Sequence, residues 1–130
     1  MKSLLCFLLL LAFSAAKAQK SIQLEEVKDH VGDSITVSGR VYGIKYLEQA
    51  KGAPTLLNLG AAFPNQLLTV VIFGEDRKRL ALEPEKQFAD AQVLVTGKLE
   101  LFKGKPQIVI TDKSQITIAG QANKEGQKAQ

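Results

Sequence analysis

Val37-Ser38-Gly39-Arg40-Val41 and Val95-Thr96-Gly97-Lys98-Leu99 share one pattern: hydrophobe, hydroxyl, glycine, base, hydrophobe. Each lies in a longer run where apolar and polar residues alternate, the period of a half-buried strand. A glycine inside such a run marks a bulge or a tight bend. Two long strands with a glycine at the same phase suit a small closed barrel, whose first and fourth strands must coil sharply. Chance similarity is the competing reading of so short an echo.

The first of these strands is predicted over Ser34 to Leu47. Ile35, Val37 and Val41 alternate there with Thr36, Ser38, Arg40 and Tyr42, and Gly39 and Gly43 interrupt the run. Before it, Leu24, Val27 and Val31 recur at helical spacing with Glu25 and Glu26 in the first turn, so a short helix is expected over 21–31, ended by Gly32-Asp33. After it comes a loop from Glu48 to Pro54 with Lys51-Gly52 at its tip. A second strand covers Thr55 to Leu59, a turn covers Gly60 to Gln66, and a third strand covers Leu67 to Phe73. Residues 75–91 are charged, with Leu80, Leu82 and Phe88 as apolar pins. Pro84 divides them into two short helical pieces. Gln92 to Phe102 is the fourth strand and Pro106 to Thr111 the fifth, joined by a Lys103-Gly104-Lys105 hairpin. Ile116 and Ile118 extend or follow the fifth strand. The tail from Ala119 is polar, lacks apolar periodicity and is expected to be disordered.

Residues 1–18 carry the marks of a signal peptide: Lys2, an apolar run from Leu4 to Phe13, and small residues in Ala16-Lys17-Ala18. The run falls short of the roughly 20 residues of a membrane span. Cleavage before Gln19 therefore leaves a periplasmic or secreted protein with no membrane span, its domain over 19–118 and its tail over 119–130. Cleavage also removes Cys6, the only cysteine, so no disulfide or thiol chemistry is expected in the 112 residues that remain. Loss of Lys2 and Lys17 lowers the basic count from 17 to 15 against 13 acidic residues, so the net charge falls from +4 to +2. That balance does not by itself argue for nucleic acid.

Catalysis finds little support. His30 is the only histidine, which leaves too few ligands for a zinc site, and no nucleophile–base pair is legible. The acidic pairs Glu25-Glu26 and Glu75-Asp76 sit at expected helix starts, where they favour the helix dipole. The reading is of a non-enzyme without cofactor or metal.

The order strand, strand, strand, helical segment, strand, strand is that of the OB fold, and the wording goes further. Gly32 to Ile118 resembles the OB-type nucleic-acid-binding domains of exported bacterial proteins. The resemblance rests on the two glycine-bearing stretches and on Lys51-Gly52-Ala53-Pro54-Thr55-Leu56-Leu57-Asn58-Leu59-Gly60. It rests also on Phe63-Pro64-Asn65-Gln66, Thr69-Val70-Val71-Ile72-Phe73-Gly74-Glu75-Asp76-Arg77 and Phe102-Lys103-Gly104-Lys105-Pro106-Gln107-Ile108. It implies an all-β class with minor α: a five-stranded OB-fold Greek-key barrel, a short N-terminal helix and a helical segment between strands three and four. The ligand face of such a barrel is formed by strands two and three, flanked by the loops after strands one and four.

Those loops carry Lys51, Lys103 and Lys105, and Arg40, Lys45 and Lys98 lie on adjoining strands. Cations near phosphates gain affinity by counterion release, although lysines also make soluble hairpins and protect sheet edges. Tyr42, Tyr46, Phe73 and Phe102 are the candidate stacking platforms. Tyr46 and Phe102 lie near the loops, whereas Phe73 competes as core. Asn58 and Gln107 are polar residues in apolar strands, suited to a ligand or to backbone groups at a barrel corner. The expected partner is single-stranded DNA or RNA. A protein, glycan or small-ligand partner, or a structural role in the envelope, is the alternative.

Overall fold

The computed structural model describes residues 20–120. The expected signal peptide and most of the expected tail lie outside the described residues. Eight strands form: β1 Lys20–Ile22, β2 Ser34–Tyr46, β3 Thr55–Leu59, β4 Leu68–Ile72, β5 Gln92–Lys98, β6 Glu100–Phe102, β7 Lys105–Val109 and β8 Ile116–Ile118. Two short helices, α1 Gly74–Arg79 and α2 Pro84–Gln87, separate β4 from β5.

The architecture is an OB fold. The strands are ordered β6-β7-β4-β3-β2-β5-β8, with β1 added in parallel to β2. β2 serves two walls. Its first half, Ser34 to Arg40, pairs with β5, and its second half, Val41 to Tyr46, pairs with β3. The register shifts between Val41 and Gly43. The bulge there lets the strand change walls, and it inverts which residues face inward. Ile35, Val37 and Val41 point to the core before it, and Ile44 packs on the core after it.

β7 lies parallel to β4, the pairing that makes the sheet curl into a barrel. Among the described residues no ladder closes the ring. The chain closes it instead, because β5 runs into β6 through the single residue Leu99. Leu99 is fully buried, its amide donates to the Asp33 carbonyl at 2.9 Å, and its carbonyl accepts from the Gly32 amide at 2.7 Å. Leu57, Leu59, Leu68, Val70, Ile72, Val93, Val95 and Ile108 fill the interior. Leu82 and Phe88 join this core from the segment around α2.

Three expectations change in detail. The fourth strand is two strands, because β6 leaves the wall of β2 to pair with β7. The barrel is also edged by two extra three-residue strands, β1 and β8. The N-terminal helix is a strand followed by a 3-10 turn, Leu24–Asp29. A 3-10 turn repeats every three residues, so the side chains in phase are Leu24, Val27 and His30. Val31 falls out of phase and is 42% exposed.

The paired glycines sit where backbones and side chains crowd. β2 and β5 run antiparallel, with Val37 opposite Val95. A Cβ on Gly39 would stand 3.1 Å from Leu59 Cδ2, and one on Gly97 would stand 2.7 Å from Ile108 Cγ2. Between these glycines the hydroxyls of Thr36 and Thr96 bond at 3.0 Å.

Candidate nucleic-acid interface

The outward face of β2, β3, β4, β7 and β6 is crossed by one polar row. Gly43 stands opposite Asn58, Asn58 opposite Thr69, Thr69 opposite Gln107, and Gln107 opposite Glu100. At about 4.8 Å per strand, these four steps span roughly 19 Å of curved sheet. One row away toward the hairpin, Phe102 stands opposite Lys105. At the β2 end of the row the bulge turns Tyr42 out, 50% exposed.

Three exposed aromatic rings are strung along one strand-end of this face, Tyr42 at β2, Phe63 in the β3–β4 turn and Phe102 at the β6–β7 hairpin, and each carries a cation. The Arg40 guanidinium lies 5.6 Å from the Tyr42 ring centre. Lys103 Nζ lies 5.5 Å from the Phe102 ring, and Lys105 Nζ lies 5.7 Å from the Phe63 ring. Phe102 is 57% exposed and Phe63 71%. The Arg40 carbonyl accepts from the Gly60 amide at 3.1 Å, which ties the Tyr42 segment to the turn bearing Phe63. The hairpin is tight, with Lys103 and Gly104 both at positive φ. That geometry is the two-residue turn that matches strand twist. Among the described residues the ion pairs are His30–Asp33, Arg77–Glu85, Arg79–Asp76 and Lys86–Glu83. Arg40, Lys103 and Lys105 belong to none of them, so their charges remain available to an anion.

The other candidates are placed elsewhere. Tyr46 pairs with Thr55, at the opposite end of β3 from the aromatic cluster. The Arg77 guanidinium covers its ring at 4.1 Å, donates to Thr55 Oγ1 at 2.9 Å and bonds Glu85 at 2.7 Å. The hydrogen bond from Arg77 holds the Glu85 carboxyl below its usual range, and Glu85 in turn raises Arg77. An open cleft of about 600 Å³ lies beside this brace, lined by Tyr46, Arg77, Lys78 and Leu82 among others. Its guanidinium is already committed to Glu85 and Thr55, which leaves Lys78 as the lining cation outside the ion pairs.

Phe73 and Lys51 share that same far end. The loop tip folds back there, with the Gly74 amide donating to the Gly52 carbonyl at 2.9 Å. A Cβ on Gly52 would stand 2.9 Å from the Phe73 ring. The two ends of β3 are about 13 Å apart at roughly 3.3 Å per residue. A direct track from Lys51 through Tyr46 to Phe102 is therefore not what the structure builds. Lys45 stands midway, outward beside Leu56. Lys98 pairs with Ser34 on the β2–β5 wall, away from the row.

Phe63 is the site residue that the sequence reading left out. Its signal was an aromatic within a turn, where no core packing explains it. Among the described residues no three metal-ligating side chains cluster, and no helix is long and apolar enough to cross a membrane.

No protein-family model matches the chain, and no curated protein matches it. Solved structures do match in shape. The chain is similar to yeast Stn1 and Ten1 with TM-score 0.58 and 10% identity, over 86% of this chain and 69% of that one. It is similar to an OBody bound to hen egg-white lysozyme with TM-score 0.54 and 17% identity, over 78% of this chain and 94% of that one. An asparaginyl-tRNA synthetase from Entamoeba histolytica, in complex with asparaginyl-adenylate, matches with TM-score 0.52 and 21% identity, over 79% of this chain. This chain spans only 24% of that enzyme's length. At these identities the likeness defines the OB fold alone.

Proposed function

We propose that the domain is a non-catalytic OB-fold module that binds single-stranded nucleic acid, weakly and mainly through backbone and stacking. The observation that carries this reading is the set of three exposed rings, each with an unpaired cation beside it, spread across the outward face from β2 to the β6–β7 hairpin. Rings supply sequence-tolerant stacking, and the cations meet the phosphates between stacked bases. The synthetase match adds support from a protein named for a tRNA, although it speaks to shape only.

The test is a titration of labelled single-stranded DNA and RNA at several salt concentrations. Arg40, Lys103 and Lys105 acting on three phosphates give an expected log–log slope of about −2 for a single strand. No binding at low salt, or a slope near zero, rejects the reading.

The second reading is a protein, glycan or small-ligand partner. Leu67 and Leu101 are 38% and 53% exposed and widen the apolar part of the same surface, and an OBody of this shape is seen bound to lysozyme. Salt-insensitive binding of a protein by the same surface would favour it.

Export through residues 1–18 belongs to the proposal as well. Intact-mass measurement of the protein recovered outside the cytoplasm is expected to give a chain starting at Gln19. A chain retaining Met1 or Lys2 there rejects cleavage at that site.

A further inference from the structure

Asn58 is anomalous for a barrel strand. Its side chain is on the outward face, yet the residue is only 9% exposed. Inward-facing Leu57 and Leu59 flank it, and its cross-strand neighbours are Gly43 and Thr69. Among the described residues its amide makes no side-chain hydrogen bond. Thr69 Oγ1 accepts from Gln66 Nε2 at 3.3 Å instead. A primary amide has two donors and one carbonyl acceptor. Among the described residues the buried side-chain atom without a partner is Gln66 Oε1; the Asn58 amide is not sealed in this way, so its donors and acceptor stay open to a ligand that reaches them.

Gly43 shows where the amide opens. A Cβ at Gly43 would meet only one atom within 4 Å, Asn58 Nδ2 at 3.7 Å. The missing side chain leaves a recess over the amide. Gly43 borders the bulge of β2 but does not have positive φ, so a side chain is conformationally allowed there. Gln107, half-buried and also without a side-chain hydrogen bond among the described residues, continues the row two strands on. The recess therefore holds a donor and an acceptor side by side, next to Tyr42, with Phe102 three strands away on the same face.

We propose that this recess reads the N6–N7 edge of one stacked base, with Asn58 as the reading residue and Gln107 assisting, and that it favours adenine. Adenine offers an amino donor beside a ring-nitrogen acceptor, the complement of a carboxamide, and the amide–adenine pair is bidentate. The inference rests on the nucleic-acid reading above. It adds a base preference at one nucleotide of an otherwise tolerant strand.

The probe is a short oligo(dA) against the same length of oligo(dI). Inosine keeps the purine ring for stacking and presents two acceptors, O6 and N7, on the edge where adenine presents a donor and an acceptor, so stacking alone cannot separate them. The wild-type protein is expected to bind oligo(dA) at least about fivefold more tightly, from one hydrogen-bond pair of roughly 1 kcal/mol. Asn58→Ala is expected to bring that ratio close to one while leaving the oligo(dI) affinity and the salt slope nearly unchanged. Gly43→Val, which fills the recess from the opposite strand, is expected to do the same. Gln107→Ala is half-buried, tests the row without disturbing β3, and is expected to reduce the ratio partly. Equal affinity of the wild-type protein for both oligonucleotides overturns the inference and leaves the nucleic-acid reading standing. An unchanged ratio in Asn58→Ala and Gly43→Val overturns it too. Absence of binding to either oligonucleotide at low salt overturns both.

Discussion

Phe102→Ala weakens binding of a single-stranded oligonucleotide by about 5- to 150-fold, and Phe63→Ala does so by a comparable factor, because a base stacked on an aromatic ring is worth about 1–3 kcal/mol. Both rings are more than half exposed and neither belongs to the core. Surface substitutions of this kind change stability by only about 0.5 kcal/mol, so the loss reads binding rather than folding. The salt slope is expected to stay where it was, since Lys103 and Lys105 remain. Because Lys105 lies over the Phe63 ring and pairs with Phe102 across the hairpin, the two sites share a neighbour. The double variant should therefore depart from simple additivity. Phe73→Ala is the internal comparison. Its ring lies at the far end of β4 against the Gly52 loop, so it should leave affinity nearly unchanged. Affinity measured by fluorescence anisotropy decides the matter. Equal losses in Phe102→Ala and Phe73→Ala, or none in Phe63→Ala, would reject the proposed surface.

Most of the barrel was legible because its strands obey a period of two and its breaks carry glycine or proline. β3 matches its expected span, Thr55 to Leu59, since an apolar run between a Gly-Ala-Pro loop and Gly60 has few other options. The glycine echo was also informative. Gly39 and Gly97 do lie on two strands that pair and coil together, each with a neighbouring side chain pressed close. Leu80, Leu82 and Phe88 pack on or in the core as their spacing suggested.

The site was less legible, and the bulge explains much of that. The alternation of β2 reads cleanly only as far as Tyr42. The extra residue between Val41 and Gly43 inverts it. Tyr46 thereby falls on the inward phase, at a barrel end where Arg77 of α1 covers it. Nothing local to Tyr46 announces Arg77, which is 31 positions away in sequence. Loop proximity was equally misleading. Lys51 and the Lys103 hairpin both flank the face, yet β4 and β7 run parallel, so the hairpin emerges at the start of β4 and the Lys51 loop packs at its end. Exposure of Phe63 follows from the same topology. The turn it occupies is drawn beside the hairpin only once β7 has paired with β4.

Leu99→Ala is expected to destabilise the domain by about 2–5 kcal/mol, the range for truncating a fully buried leucine where the surroundings cannot collapse. Collapse is blocked here by the backbone. Leu99 is held on both sides, by the bonds from its amide to Asp33 and to its carbonyl from Gly32. It is also the one residue by which the β5 wall becomes the β6 wall. Its backbone conformation is thus fixed by two ladders it does not itself belong to, and the side chain cannot shift to fill the space it leaves. Any smaller residue would preserve the bonds and still empty the junction. Gly97, two residues earlier, gives the opposite defect. A methyl there would strike Ile108 Cγ2 at 2.7 Å and Gln115 Nε2 at 3.0 Å, and overpacking costs about 1–3 kcal/mol. Both changes act at the same corner, one by a void and one by a clash. Urea unfolding should therefore show lower midpoints for both, with Leu99→Ala the lower. If Leu99→Ala unfolds within about 1 kcal/mol of wild type, the buried Leu99 side chain is not what holds the two walls together. The β4–β7 pairing alone would then be sufficient.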